Sequence, residues 1–484
     1  MALCQGTSYI LATFLGIVSL FYRRSLARDL KFEHEWGTKA LNLYERQVYR
    51  ERTEKGLLSS EKSMPTLESF AIKSIGSTSR ELQIAGLRVL DSSLKRHDSE
   101  YKNKLITDIV KDAQKIISDI IGIVSYLIDE ENKKEKTEQE DEGDENADQA
   151  EEEEVEEKTQ PEAELPMSLK LVGKLTINAG KLSTIFRQEL SKNPFFLYCL
   201  ERILDLKGSG PKLLESVMNI IAVLALDKAS RKEIGSCQTI ISKLMHAFLM
   251  PDDVEPSEDN DPSLRMAAVE ALANLTIMST DNCWAILLAD TEHNLIKNLS
   301  NMLEDKYAAN LLHNLCENLG NKLIEHGAND EDMKCALLKV IEIIRTNKEG
   351  KQLEAALCIA SQIGYVIPEY SVQLLDSDTN AAAAEALVEK LVNTLKSNME
   401  PCLEYPRIRR VLVEVAISIM DVCPRYKILF REKGLKDALD MIKRIPSRWE
   451  MYRVFLDGEG VVTESLPMRD LVDKAERLIL IWQL

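Results

Sequence analysis

The chain has 484 residues, 45% of them hydrophobic and 6% aromatic, with 20 glycines, 14 prolines and a formal charge of −18. That length exceeds one ordinary core unless the architecture is extended. So little Gly, Pro and aromatic content excludes a turn-rich sandwich or barrel and points to an all-α protein packed through Leu, Ile, Val and Ala.

The negative charge is local. Between Asp129 and Leu165 stand 19 acidic and 4 basic residues, so the rest of the chain is close to neutral. A near-neutral body lacks the clustered Lys and Arg that nucleic acid requires, and no nucleic-acid partner is expected.

Residues 1–28 read as a hydrophobic N-terminal segment. An uncharged run from Ser8 to Tyr22 precedes Arg23, Arg24 and Arg28. A cleaved signal peptide places its positive charge before the apolar run, whereas a signal anchor keeps its basic flank in the cytosol. The expected anchor consists of Tyr9, Ile10, Leu11, Phe14, Leu15, Ile17, Val18, Leu20, Phe21 and Tyr22, with the rest of the chain facing the cytosol. It is shorter than the roughly 17–25 residues of a full span, which leaves a buried amphipathic helix and a signal peptide as alternatives.

A helical segment is expected over 32–128. The acidic tract over 129–165 has almost no large apolar residues and reads as a disordered linker, because it cannot bury enough surface to offset the entropy of ordering. From 166 to 484 a single pattern recurs. Leu264, Ala268, Ala271, Leu272 and Leu275 fall on one helical face. The same template fits Leu213, Val217, Ile220, Ile221 and Leu224, and again Ile408, Leu412, Val415, Ala416 and Ile419. Ala308, Leu311, Leu312 and Leu315 fit it with Glu304 in the first place, and weaker copies stand at Leu82–Leu90 and Leu353–Ala360. From Leu275 to Leu315 the step is 40 residues, and Leu224 to Leu275 gives the same step once the acidic insertion Pro251–Asp261 is removed. A helical unit repeated near 40 residues is the signature of an α-solenoid. Gly235 and Gly434 separate the two helices that follow a ladder helix, and helices cap the C-terminus.

"VEALANLT" and "NLLHNLCENL" resemble armadillo repeats, which implies a right-handed superhelix of three-helix units. "PTLESFAIKSIGSTSRELQIAGLRVLDSSLKR", "IAVLALDKASRKEI" and "AANLLHNLCENLG" together look like a plant family of membrane-associated armadillo-repeat proteins with no well-established activity. Peptide-binding armadillo proteins such as importin-α hold an extended backbone with a ladder of Asn beside Trp. Asn274 and Asn314 match that Asn position, but Val89, Val223 and Ser418 stand there in other copies. Trp36, Trp284, Trp449 and Trp482 fall elsewhere, so binding of nuclear-import signals is disfavoured. Asn274 and Asn314 remain the candidate protein-binding residues, with a structural role equally open.

No catalytic signature is present. "DSDTNAAAAEALVEK" starts like a calcium loop at Asp376, Asp378 and Asn380 but has Ala381 and Leu387 where Gly and the bidentate Glu are needed, so it reads as a helix start. "LKGSGPKLL" lacks phosphate-loop spacing and reads as a turn with Pro211 opening a helix. The six histidines show no metal spacing, and the nine cysteines contain no CxxC pair. No catalytic, cofactor or metal site and no small-molecule substrate is expected. The expected function is a non-catalytic, membrane-associated scaffold that binds a protein partner on its concave helical surface. An armadillo-type nucleotide exchange factor for Hsp70 is the alternative, and a ubiquitin ligase is disfavoured because no RING-like segment stands beside the repeats.

Overall fold

A computed structural model of the chain describes residues 18, 21–30, 32, 34–55, 65–95, 99–111, 113–141, 164–177, 181–206, 210–249, 262–326, 329–347, 350–376, 381–400, 403–456, 459–464 and 466–480. These residues are overwhelmingly helical, as expected of an all-α protein. They fall into two compact units, Met1–Gly208 and Ser209–Leu484.

In the first unit, α1 covers 21–29. It is followed by α2 (His34–Lys55), α3 (Leu67–Ile75), α4 (Arg80–Leu94), α5 (Ser99–Lys111), α6 (Ala113–Asp141), α7 (Glu164–Ile177), α8 (Lys181–Ser191) and α9 (Pro194–Asp205). α4 packs against α2, α3 and α7, and α6 packs against α7 and α9. Two boundaries differ from the expected ones. α6 runs on to Asp141, so the start of the acidic tract is helical, in keeping with the high helix propensity of its Glu, Lys and Gln. The remainder of that tract, 142–163, lies outside the described residues. The division between units falls after Gly208 rather than at the tract, because α7–α9 complete the N-terminal core. Lys174 of α7 bonds Asp91 of α4, and Arg202 of α9 pairs with Asp129 of α6 at 2.9 Å.

The second unit opens with α10 (Pro211–Leu224), α11 (Lys228–Ser236), α12 (Gln238–Leu249), α13 (Pro262–Leu275), α14 (Thr280–Ala289), α15 (Leu295–Asn301) and α16 (Lys306–Leu319). It continues with α17 (Lys322–Glu325), α18 (Asp330–Thr346), α19 (Lys351–Val366), α20 (Pro368–Asp376), α21 (Ala381–Ser397), α22 (Ile408–Val422), α23 (Tyr426–Glu432) and α24 (Leu435–Arg444). After the short 3₁₀ turn Arg448–Met451 come strands β1 (Tyr452–Leu456) and β2 (Glu459–Thr463), and α25 (Met468–Leu480). The five helices that carry the apolar template, α10, α13, α16, α19 and α22, pack in series, each on the next. Val217, Ile221, Ala268, Leu272, Ala308 and Leu312 are buried to the last per cent, which is why the template is so regular.

Local chemistry sets the helix ends. Pro211 opens α10 behind Gly210, as its missing N–H permits. Asp227 caps α11 by accepting from the N–H groups of Ala229 and Ser230, and Asp305 caps α16 from Tyr307 and Ala308. The last carbonyls of α7 and α10 have their own donors: Arg187 reaches the Thr176 carbonyl in the last turn of α7 at 2.8 Å, and Arg231 reaches that of Ala225, just past the end of α10, at 2.9 Å. Gly434 begins α24 in the left-handed conformation, φ 81°. Gly235 does not cap: it lies inside α11, where a Cβ would meet Oδ1 of Asn282 at 1.9 Å. That buried amide cannot retreat, because its Nδ2 donates to the carbonyls of Arg231 (3.0 Å) and Leu275 (2.8 Å).

The C-terminus departs from the all-helical expectation. β1 and β2 form an antiparallel hairpin in the register Tyr452↔Thr463, Val454↔Val462 and Leu456↔Glu459, with irregularities around Val454. The acidic insertion 251–261, the would-be calcium residues Asp378 and Asn380, and Trp482 lie outside the described residues.

Gly235→Ala is expected to lower the unfolding free energy of the second unit by about 2–4 kcal/mol, combining overpacking with loss of the Asn282 bonds. Denaturant titration followed by helical circular dichroism checks it, and a change below 1 kcal/mol contradicts the close approach of α11 and α14.

Candidate functional site

The series α10–α13–α16–α19–α22 leaves polar groups at each helix end that need partners, and asparagines supply several of them. Asn274 of α13 donates its Nδ2 to the Ala222 carbonyl in the last turn of α10 at 3.0 Å. Asn314 of α16 repeats the arrangement one helix on, donating to the Ala273 carbonyl at 2.9 Å and to Thr276 Oγ1 at 3.0 Å. Only 7% of Asn274 and 2% of Asn314 is exposed. The two candidate residues therefore spend their amide N–H groups joining neighbouring ladder helices, as a buried donor must. The Oδ1 of Asn314 faces outward from that bond, and its partner is the hairpin.

Arg453 of β1 donates to Asn314 Oδ1 at 2.9 Å and to the Glu317 carboxylate of α16 at 2.5 Å. Beside it Val462 of β2 is buried with Leu226 and Ile277, and Val454 and Val461 pack against the same cluster. Leu226 and Ile277 lie just past the ends of α10 and α13, so the strands lie along the ladder where its helices terminate. Below the hairpin, Glu464 accepts from Arg407 at 2.8 Å and lies 3.5 Å from Arg410 of α22. Arg410 also holds Glu414 at 2.9 Å and the Glu450 carbonyl at 3.2 Å. Arg409 pairs with the Glu450 carboxylate at 2.6 Å and donates to the carbonyls of Met399 and Ile445. Neither member of that last pair has more than 2% of its side chain exposed. Each buried charge is thus paired and hydrogen-bonded, the condition under which burial is tolerated.

Titration follows from this crowding. Burial alone raises a carboxyl, but the positive charge around Glu317, above all the Arg453 guanidinium bonded to it, more than offsets this and brings its pKa down to about 2. Glu464 likewise sits below the usual range: burial opposes ionisation, and Arg407, Arg410 and Arg453 outweigh it. Burial holds His313 below its ordinary value, so at neutral pH it is an uncharged ring bonding the Cys358 carbonyl at 2.8 Å. Burial pushes the thiols of Cys358 and Cys316 up to about 11 and about 12, which keeps them protonated and unreactive. What the face holds is the Arg453 guanidinium and the valines of the two strands. A cleft remains open beside the hairpin, lined by Glu270, Lys306, Tyr307, Asn310 and Phe455. Among the described residues no group of three or more His, Cys, Asp or Glu could hold a metal.

Arg453, Glu317 and Glu464 carry this site, and sequence reasoning passed over them. A signal was present: "YRVFLDGEGVVT" sets β-branched and aromatic residues on both sides of an Asp-Gly pair, the composition of a β-hairpin. Trp449 lies beside it, 5.8 Å from the Phe455 ring, while Trp284 packs on His326.

Of the expected membrane residues, Tyr9, Ile10, Leu11, Phe14, Leu15, Ile17 and Leu20 lie outside the described residues. Val18, Phe21 and Tyr22 are exposed, at 46%, 69% and 66%. The helix that carries Phe21 and Tyr22 is held to α2 through Arg23 and Glu45 at 2.7 Å and through buried Ala27. Among the described residues no helix is long and apolar enough to cross a membrane.

Fold and site together define an all-α protein whose own C-terminal hairpin covers one face of its repeated helices. No protein-family profile matches the chain, and no curated protein matches it. Among solved structures, an engineered protein from the Northeast Structural Genomics Consortium aligns over 85% of this chain and 88% of its own, at 14% identity and a TM-score of 0.46. A second engineered protein from the same consortium aligns over 58% of this chain and 98% of its own, at 17% identity and a TM-score of 0.38. Similarity this distant carries no functional argument.

Two outcomes follow from the ionic geometry. Because its folded pKa of about 2 lies below the ordinary 4.5, Glu317 contributes stability that is present above pH 4.5 and is lost as pH falls towards 2. With 34% of its side chain open to solvent, that contribution is about 1 kcal/mol. Glu317→Gln should remove it at pH 7 and flatten the acid limb of stability against pH. Asn314→Ala, which strands the Ala273 carbonyl and part of Arg453, should cost about 2–3 kcal/mol in the same denaturant titration.

Proposed function

We propose that Ser209–Leu484 is an armadillo-like solenoid serving as a non-catalytic protein-interaction scaffold, held at a membrane by the N-terminal segment. The observation that carries the reading is the serial packing of α10, α13, α16, α19 and α22, each on the next, helices that carry the same apolar template. A row of stacked helices is an extended surface suited to another polypeptide. Asn274 and Asn314, which tie α13 to α10 and α16 to α13, keep that part of the surface in register. Tethering is supported by Val18, Phe21 and Tyr22, which stand exposed on the last turns before Arg23, Arg24 and Arg28. Apolar side chains followed by a basic flank suit the membrane–cytosol boundary.

Proximity labelling tests both parts, with a biotin ligase fused after Leu484 in the full chain and in a version lacking residues 1–20. A compact set of labelled proteins, membrane proteins among them, that disperses without residues 1–20 is the expected result. Identical soluble proteins from both versions, led by Hsp70, would remove the tether and replace the scaffold with a co-chaperone.

A further inference from the structure

The hairpin touches the ladder through few groups, and the ladder does not need it to cohere. Asn274 and Asn314 complete their bonds to Ala222, Ala273 and Thr276 without any hairpin atom. The buried apolar contact of the strands centres on Val454, Val461 and Val462 against Leu226 and Ile277. The polar contact is Arg453 on Asn314 and Glu317, with Glu464 on Arg407 and Arg410. These are the contacts of a bound segment: one guanidinium fork, β-branched side chains in an apolar dip, and a carboxylate on an arginine pair.

Lifting the strands leaves neither Glu317 nor Arg410 stranded, and its cost falls on Arg407, whose side chain is 8% exposed and whose carboxylate partner is Glu464. Glu317 is already one-third open at 34%, and Arg410 keeps its own-helix partner Glu414 at 2.9 Å. The feet of the hairpin are fixed separately. On one side Glu450 is locked to Arg409. On the other side α25 packs on α22, α23 and α24. The strands between these feet can therefore leave the face without unravelling their flanks. The cleft lined by Glu270, Lys306, Tyr307 and Asn310 opens on the same face beside Arg453 and Phe455, so an incoming chain has a place to begin.

We propose that the β1–β2 hairpin is an intramolecular occupant of the α10–α13–α16 face, and that this face takes an extended segment of a partner protein carrying an arginine followed by a β-branched residue. Arg453–Val454 is the internal copy with which that segment competes. The proposal rests on the scaffold reading and names the chemistry of its partner. The apparent affinity for a competitor is the intrinsic one scaled by the fraction of molecules with the hairpin lifted, so an open fraction below about one in ten predicts at least a tenfold gain when docking is abolished.

The test uses the full chain and a fluorescent peptide copying residues 448–464. Anisotropy titrations compare the unaltered protein with Arg453→Glu and with Val462→Asp, each designed to undock the hairpin. At least tenfold tighter binding of the peptide by either variant is the supporting result, provided a peptide with its own arginine changed to glutamate binds neither. Hydrogen exchange on the unaltered protein supplies a reading that needs no variant. Hairpin amides should exchange well before those of α13 and α16. Hairpin amides that exchange only together with α16, or variants that gain no affinity, make the hairpin an integral part of the core and overturn the proposal. A concentration-dependent dimer of the unaltered protein that is abolished by Arg453→Glu would assign the face to a second copy and overturn the heterologous partner. Retention of the proximity-labelled set while hairpin competition fails would remove this inference alone and leave the scaffold standing.

Discussion

The carbonyls at the ends of the ladder helices constrain the rest of the second unit. A helix that stops inside a core leaves its last carbonyls without partners, and the cost of burying them bare is of the order of a folding free energy. Here the donors come from the following helices. Asn274 reaches Ala222, Asn282 reaches Leu275, and Asn314 reaches Ala273. Each bond fixes the rotation and height of one helix against the last, which makes the series regular. Apolar burial supplies the driving force, but it is non-directional and would tolerate slippage along the stack. The amide bonds would not.

That regularity creates the surface on which the hairpin lies. Because Asn314 gives its N–H groups to the stack, its oxygen is left facing the strands, and Arg453 is the group that meets it. Glu317, one turn along α16, turns the meeting into a charge-assisted fork. The arginines of α22 and its approach hold the far end of the hairpin through Glu464, and Arg409 fixes its foot through Glu450. Charges of both signs are interleaved through this region, so the assembly is neutralised internally and presents neither a basic nor an acidic face of its own. The face holds Arg453 and Val462 by where their side chains fall rather than by net charge.

Part of this was open to reading before any coordinates. The stripe Leu264–Leu275 and its copies lie on helices that pack on one another, because a 3.6-residue period of apolar side chains can be buried in only one way. Pro211 and Gly434 mark helix starts as their backbone preferences require. Gly235 was legible as a glycine that mattered but not for its reason, since the Asn282 amide that excludes a Cβ is 47 positions away. The hairpin carried its signal in β-branched and aromatic residues flanking an Asp-Gly pair, yet two short strands among so many helices are overruled by the surrounding pattern until their packing is seen.

The sequence by itself determined the all-α class, the apolar stripes of the helices that stack and the acidic character of the tract after Asp129, all of which follow from local composition and period. Only the tertiary structure decided that α7–α9 belong with the first unit, since that depends on Lys174 meeting Asp91 across the acidic tract. It alone decided what Asn274 and Asn314 hold, because an asparagine reads the same whether its amide faces a neighbouring helix or an incoming ligand. It alone brought Arg453 to Glu317 across 136 residues of chain. Period and propensity act over a few turns, whereas the pairing of buried charges is settled by which surfaces close on each other in space.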